Sequence, residues 1–95
     1  MEVKTSIRFY NNKPVRALYD DLNNAWLYAA VDLIDALANT ANPRRYWSDL
    51  KRRNKEMFAN CAQAKLTSRD GKKYLTDVLN EEELHILVNR ISKKT

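Results

Sequence analysis

Basic side chains recur along residues 43–57 at spacings that place them on one side of a helix. At about 100° per residue, Tyr46, Leu50 and Met57 share a narrow arc, flanked by Trp47 and Phe58. The opposite arc carries Ser48 and five cations, namely Arg44, Arg45, Lys51, Arg52 and Lys55. Such a row extends over about 17 Å and suits a line of phosphates, because each cation that neutralises a phosphate releases condensed counterions. The pattern favours a polyanion-binding face over an ordinary solvated helix surface.

A second basic element is predicted over 61–79, which is typical of a β-hairpin. Asp70-Gly71 is a preferred pair for a two-residue type I′ turn. Counting back from that turn pairs Leu66 with Leu75 on one face and Thr67 with Tyr74 on the other. The outward face would then carry Lys65, Thr67, Arg69, Lys72, Tyr74 and Thr76. Two-stranded ribbons can enter a DNA groove, and an exposed tyrosine can stack on a base. A solvent-facing hairpin whose charges block aggregation is an equally weighted interpretation.

The charge distribution singles out the same part of the chain. The 95 residues carry a net charge of +5, but residues 44–73 alone hold ten basic and three acidic side chains. Residues 17–43 hold four aspartates and neither lysine nor arginine. This segregation indicates a landing surface for a polyanion such as nucleic acid.

The residue types that support catalysis are sparse. His85 is the only histidine and Cys61 the only cysteine, so no histidine or cysteine set has metal-ligand spacing. The aspartate pairs within 20–21 and 32–35 fit a turn and a helix surface better than a divalent-ion site. The single glycine excludes a glycine-rich phosphate loop. We therefore expect no enzymatic activity, no metal and no cofactor.

The elements that must position the basic residues follow from periodicity. Strands are predicted at Ile7–Tyr10, Val15–Tyr19 and Ala25–Tyr28, and a short amphipathic helix over 30–38. Asn42 before Pro43 predicts the start of the basic helix, which should run to about Met57. After the hairpin, Asn80 caps a last helix with a buried stripe of Leu84, Leu87, Val88 and Ile91. Trp26 and Trp47 lie in apolar patterns and are expected in the core. The predicted fold class is α+β, a single compact domain over 1–95 with a small antiparallel sheet or hairpins and about three helices.

A lone cysteine excludes an internal disulfide, and the longest apolar run, residues 25–31, is too short for a membrane span. The sequence therefore predicts a cytoplasmic protein that does not enter a membrane.

Two motifs resemble a known family. Residues 30–53, AVDLIDALANTANPRRYWSDLKRR, are similar to the centre of the BRO-family N-terminal (Bro-N) domain. A second match to the same family is DGKKYLTDV at 70–78. This domain occurs in phage antirepressor-type proteins, viral BRO proteins and bacterial DNA-damage-inducible protein D, and the likeness is closest to the last type. With the strand pair that leads into the first motif and the final helix that follows the second, the resemblance covers about residues 7–91. The resemblance implies an α+β DNA-binding domain at the front of a longer protein. Family members usually continue into a further helix with an aromatic-basic motif, so this chain is expected to be a short homologue or a fragment.

The residues and the resemblance together predict a DNA-binding module of a prophage-type antirepressor or DNA-damage-inducible regulator, bound to double-stranded DNA at the bacterial nucleoid. The candidate contacts are Arg44, Arg45, Lys51, Arg52, Lys55, Lys65, Arg69, Lys72, Lys73 and Tyr74. The alternative is a protein-interaction domain that engages a repressor through exposed aromatic side chains. A nuclease is a third and weaker hypothesis. The oligomeric state is open, a dimer included.

Overall fold

The computed structural model describes residues 4–58 and 61–92. The chain begins with three antiparallel strands, β1 (Thr5–Tyr10), β2 (Lys13–Asp20) and β3 (Ala25–Ala29). Asn11 and Asn12 connect β1 to β2 with φ values of 50° and 63°. Asparagine tolerates this left-handed conformation, which a two-residue type I′ hairpin turn requires at both central positions.

Two further strands, β4 (Ala62–Thr67) and β5 (Lys73–Leu79), complete a five-stranded antiparallel sheet of order β1-β2-β3-β5-β4. Strand β3 meets β5 only at the pairs Tyr28–Leu79 and Ala29–Val78. The contact is this short because the chain leaves the sheet at Ala30 and continues directly as helix α1 (Ala30–Leu37). Strand β3 lies between β2 and β5 in the sheet, and helix α1 therefore starts at the point where β3 ends and no strand separates these two.

An ion pair anchors α1 to this opening in the sheet. Asp32 of α1 accepts hydrogen bonds from the Arg16 backbone N–H at 2.9 Å and from the Arg16 Nε at 2.8 Å. The Arg16 Nη1 also donates to the Thr67 carbonyl oxygen at 3.1 Å. The Asp32 carboxylate thus accepts from the Arg16 backbone N–H, which lies just beyond the last residue pair between β2 and β3. The Arg16 guanidinium links β2 to β4.

The remaining helices are α2 (Pro43–Arg53), α3 (Lys55–Phe58) and α4 (Glu81–Ser92). Side chains of all four helices form the main core with residues of β2 and β5, namely Val15, Ala30, Leu33, Ile34, Ala36, Trp47, Leu50, Phe58, Leu79, Leu84, Leu87 and Ile91. A smaller cluster of Ala29, Leu66 and Val78 lies on the other face of the sheet. The α+β prediction is therefore confirmed, and the predicted stripe of the last helix is buried at Leu84, Leu87 and Ile91 and half-buried at Val88. In the described part of the chain no helix is long and apolar enough to cross a membrane.

The predicted helix caps are present. The Asn42 Oδ1 accepts a hydrogen bond from the Arg45 backbone N–H at 3.2 Å, so α2 begins as expected. Asn80 and Glu83 form a reciprocal capping box, in which each side chain accepts from the other's backbone N–H, at 2.8 and 3.1 Å.

The basic helix is shorter than predicted. It ends at Arg53, where Asn54 leaves helical geometry at φ −126° and ψ 50° and donates its Nδ2 to the Leu50 carbonyl oxygen at 2.9 Å. A separate turn, α3, follows. The break changes the rotational phase of the chain, so that Phe58 is buried while Met57 is 40% exposed. The expectation that Met57 shares the apolar arc with Leu50 is wrong for this reason.

The hairpin register also differs from the prediction by one residue. Leu66 lies opposite Tyr74, and Thr67 opposite Lys73. Ser68 accepts from the Gly71 N–H at 3.0 Å and donates to the Lys72 carbonyl at 2.8 Å. Within the turn only Gly71 has a positive φ, +83°. The loop therefore has three residues with the glycine in the left-handed position, and the extra loop residue shifts every pair.

Candidate nucleic-acid interface

Most cations of α2 and α3 point into solvent. Arg44, Arg45, Arg53 and Lys55 are exposed and form no ion pair with any described residue. Arg52 bonds Asp49 at 2.6 Å, but its own side chain is 72% exposed. An exposed pair of this kind contributes little and exchanges readily for another anion.

Lys51 lies in a different environment from the other predicted contacts. Its Nζ is 2.7 Å from the Asp77 Oδ2 and 5.5 Å from the centre of the Trp47 ring. The side chain sits at the edge of α2 next to Trp47, rather than on the outer arc, and its charge is compensated by Asp77. The predicted outward placement of Lys51 is therefore wrong, because the phase of α2 turns it toward β5.

Asp77 is the buried centre of a polar cluster that holds α2 against the hairpin. Its carboxylate, 8% exposed, accepts from the Trp47 Nε1 at 2.7 Å, the Lys51 Nζ at 2.7 Å and the Gln63 Nε2 at 2.8 Å. Burial raises the pKa of Asp77, but the three hydrogen bonds and the Lys51 charge outweigh it, and the pKa lies below its ordinary value. The ionised carboxylate joins the helix to both strands.

The observed register divides the predicted basic face of the hairpin between two sides. Cross-strand partners share a face, so Lys65 and Leu75 lie on one side with the pair Thr67 and Lys73. Tyr74 and Thr76 lie on the other side with Leu66 and Ala64, which they oppose. The side with Lys65 and Lys73 is also the side of Gln63 and Asp77, and hence of α2.

Tyr74 is tied to the tip of the hairpin. Its hydroxyl donates to the Asp70 Oδ2 at 2.6 Å, and this bond raises the pKa of Tyr74 and lowers that of Asp70. The Lys72 backbone N–H adds a second hydrogen bond to Asp70, at 2.9 Å. The Arg44 charge opposes this rise in the Tyr74 pKa.

Together these positions define what we call the basic surface, the exposed cations of α2, α3 and the β4–β5 hairpin. Its members are Arg44, Arg45, Arg52, Arg53, Lys55, Lys65, Arg69, Lys72 and Lys73. All except Arg52 are without an ion-pair partner among the described residues. Sequence reasoning misses Arg53, because its spacing of seven from Tyr46 puts it on the apolar side of a helical wheel.

Cys61 and the acidic side chains do not form a reactive cluster in the described structure. Within residues 4–58 and 61–92, no three histidine, cysteine, aspartate or glutamate side chains could hold a metal ion. Cys61 is half-buried, and burial, followed by the charges of Asp77 and Glu83, raises its pKa. The neutral thiol that results is a weak nucleophile.

No family model matches the chain, and no curated protein or solved structure is significantly similar to it. The Bro-N resemblance therefore stays a prediction from the two motifs.

Proposed function

We propose that this domain binds double-stranded DNA through the basic surface. The observation that carries the proposal is the set of exposed cations without ion-pair partners among the described residues of α2, α3 and the hairpin. Asp77 joins α2 to the hairpin. The carboxylates of these elements are fewer than the cations: Asp77 pairs with Lys51, Asp49 pairs with Arg52, and Glu56 and Asp70 form no ion pair with a described residue. The uncompensated charge favours a polyanionic partner.

Duplex DNA fits this surface better than a single strand. Single-strand binding relies on open aromatic side chains on which successive bases stack. The exposed aromatic side chain near the basic surface is Tyr74, and its hydroxyl is held by Asp70. The exposed cations of α2, by contrast, can contact the phosphates that border a groove.

The Bro-N-like motifs suggest a biological setting for this binding. In that setting the domain belongs to a prophage-type antirepressor or DNA-damage-inducible regulator and acts in the cytoplasm, at the bacterial nucleoid. The domain itself positions the protein on DNA and carries out no reaction.

A second candidate function, docking to a repressor or another regulatory protein, is favoured by a separate surface. Ile7 and Phe9 of the edge strand β1 are 53% and 70% exposed, and both lie on the same side of that strand. Exposed aromatic and aliphatic side chains of this kind are typical anchors of protein interfaces. Alanine substitution of both should abolish partner capture and leave DNA binding unchanged if this second function operates.

The DNA proposal is tested with two variants that remove equal charge. One replaces Arg44, Arg45 and Lys55 by alanine, and the control replaces Lys4, Arg8 and Lys13. Both sets are exposed, and each variant lowers the net charge by the same amount. Lys51 is left intact because it supports the Asp77 cluster.

Electrophoretic mobility shifts over a salt series give the readout. The first variant should bind a duplex more weakly and flatten the slope of log affinity against log salt by about 3, one unit per lost phosphate contact. The control should stay close to wild type. If both variants lose the same affinity, the effect comes from net charge alone and not from the basic surface. If the first variant binds as tightly as wild type, α2 and α3 do not contact DNA.

A further inference from the structure

Leu75 is a large apolar side chain beside the lysines of the β4–β5 hairpin. It is 62% exposed, lies directly opposite Lys65 and shares a strand face with Lys73, two residues before it. It belongs to neither of the two apolar clusters. No packing interaction in the described structure accounts for a leucine at this position.

The environment along this face of β5 changes steadily from core to solvent. Leu79 is fully buried beneath the helices, Asp77 is buried in the polar cluster below α2, and Leu75 is open. Residues spaced by two lie on one side of a strand, so the same face emerges from under the helices at Leu75. The outer part of the hairpin is therefore a two-stranded ribbon that presents one face, with Leu75 on it, to solvent. Its opposite face packs against the sheet through Leu66.

The dimensions of this ribbon select one groove of DNA. Paired strands lie about 4.8 Å apart, and side chains at both edges bring a ribbon to roughly 10 Å. The major groove is about 12 Å wide and admits such a ribbon, whereas the minor groove, at about 6 Å, does not. Lys65 and Lys73 beside the leucine, with Arg69 and Lys72 near the tip, would then face phosphates along the groove.

The apolar group that the major groove offers to a protein is the C5-methyl group of thymine. We infer that the β4–β5 hairpin enters the major groove and that Leu75 contacts thymine methyl groups, which gives the domain a preference for thymine-containing sites. This inference rests on the proposed DNA binding. It adds that the domain binds in the major groove and recognises the thymine methyl group.

The test removes the methyl group from the DNA and the leucine from the protein. Two duplexes of about 20 base pairs, two helical turns, are compared, one alternating adenine and thymine and the other with deoxyuridine in place of thymine. The proteins are wild type, Leu75→Ala and Leu22→Ala. Leu22 is the matched control, because it is 94% exposed in the turn between β2 and β3. Circular dichroism melting establishes that each variant is folded.

Wild type and Leu22→Ala should bind the thymine duplex roughly fourfold more tightly than the deoxyuridine duplex, the effect of burying one methyl-sized group. Leu75→Ala should bind the two duplexes equally. If Leu75→Ala keeps the wild-type ratio, the methyl effect does not pass through this side chain and the inference is overturned. If wild type binds both duplexes equally and with strong salt dependence, the inference fails and the proposed function stands. Absence of binding to any duplex overturns both.

Discussion

The indole Nε1 of Trp47 donates a hydrogen bond to the Asp77 carboxylate at 2.7 Å, and this contact joins the middle of α2 to β5. Trp47 also packs edge-on against Phe58, with ring centres 5.0 Å apart, so the same side chain connects the hydrogen-bond cluster to the core. The orientation of α2, and with it the direction in which its cations point, depends on this anchor.

Replacement of Asp77 by alanine should destabilise the fold by about 2 kcal/mol, because it leaves the buried Trp47 indole N–H without its acceptor and removes the bonds to Lys51 and Gln63. Urea denaturation measures the change in the free energy of unfolding. The control is Asp49→Ala, which removes the exposed bond to Arg52 and should change stability by less than about 0.5 kcal/mol. Equal effects of the two substitutions would contradict the role assigned to the cluster.

Asp77 should also impose a dependence of stability on pH. Its pKa is lower in the folded chain than in the unfolded chain, so its stabilisation is present above the unfolded pKa of about 3.9 and is lost as pH falls through the folded pKa. The difference in unfolding free energy between wild type and Asp77→Asn should be largest above about pH 5 and shrink below about pH 4. Thermal melts across this range check the prediction, and a difference that grows on acidification would refute it.

Gly71 should be the residue that sets the hairpin register. Its φ of +83° lies in the left-handed region, and nothing lies within 4 Å of an added Cβ, so substitution costs conformational energy without a clash. Gly71→Ala should therefore lower stability by about 1 kcal/mol, and Gly71→Asn should cost less because asparagine tolerates this conformation. Chemical denaturation of both variants tests the order, and an alanine variant as stable as wild type would argue against the three-residue loop.

Asn42 should contribute to stability through the N-terminus of α2. Asn42→Ala removes the acceptor for the Arg45 N–H and should cost about 1 kcal/mol, whereas Asn42→Ser keeps an acceptor and should cost much less. Urea denaturation compares the two. A serine variant that is as unstable as the alanine variant would show that the cap is not the source of the effect.

Local signals in the sequence were sufficient for the helix starts and the buried stripe of α4. Asn42-Pro43 and Asn80 act within one turn, through their own side chains, and the stripe at Leu84, Leu87 and Ile91 reflects only helical periodicity. These features depend on residues close in sequence, so they can be predicted without the rest of the fold.

Features that depend on distant partners could not be predicted in this way. Lys51 turns inward because Asp77 lies across from it, 26 positions later in the chain. The break at Asn54 changes the helical phase, and the extra loop residue before Gly71 changes the strand register by one position. Hydrophobic periodicity in the sequence is too coarse to predict either change. For the candidate site, the sequence therefore predicted which segments are basic, but not which face Tyr74 and Lys73 occupy.

The central claim is that the basic surface binds duplex DNA through its phosphates. The most direct measurement is the affinity of the wild-type domain for unrelated duplex sequences between about 50 and 200 mM salt. If five to eight phosphates are neutralised, log affinity should fall with log salt at a slope of roughly −4 to −7. A slope near zero, or no binding at the lowest salt, would contradict the claim.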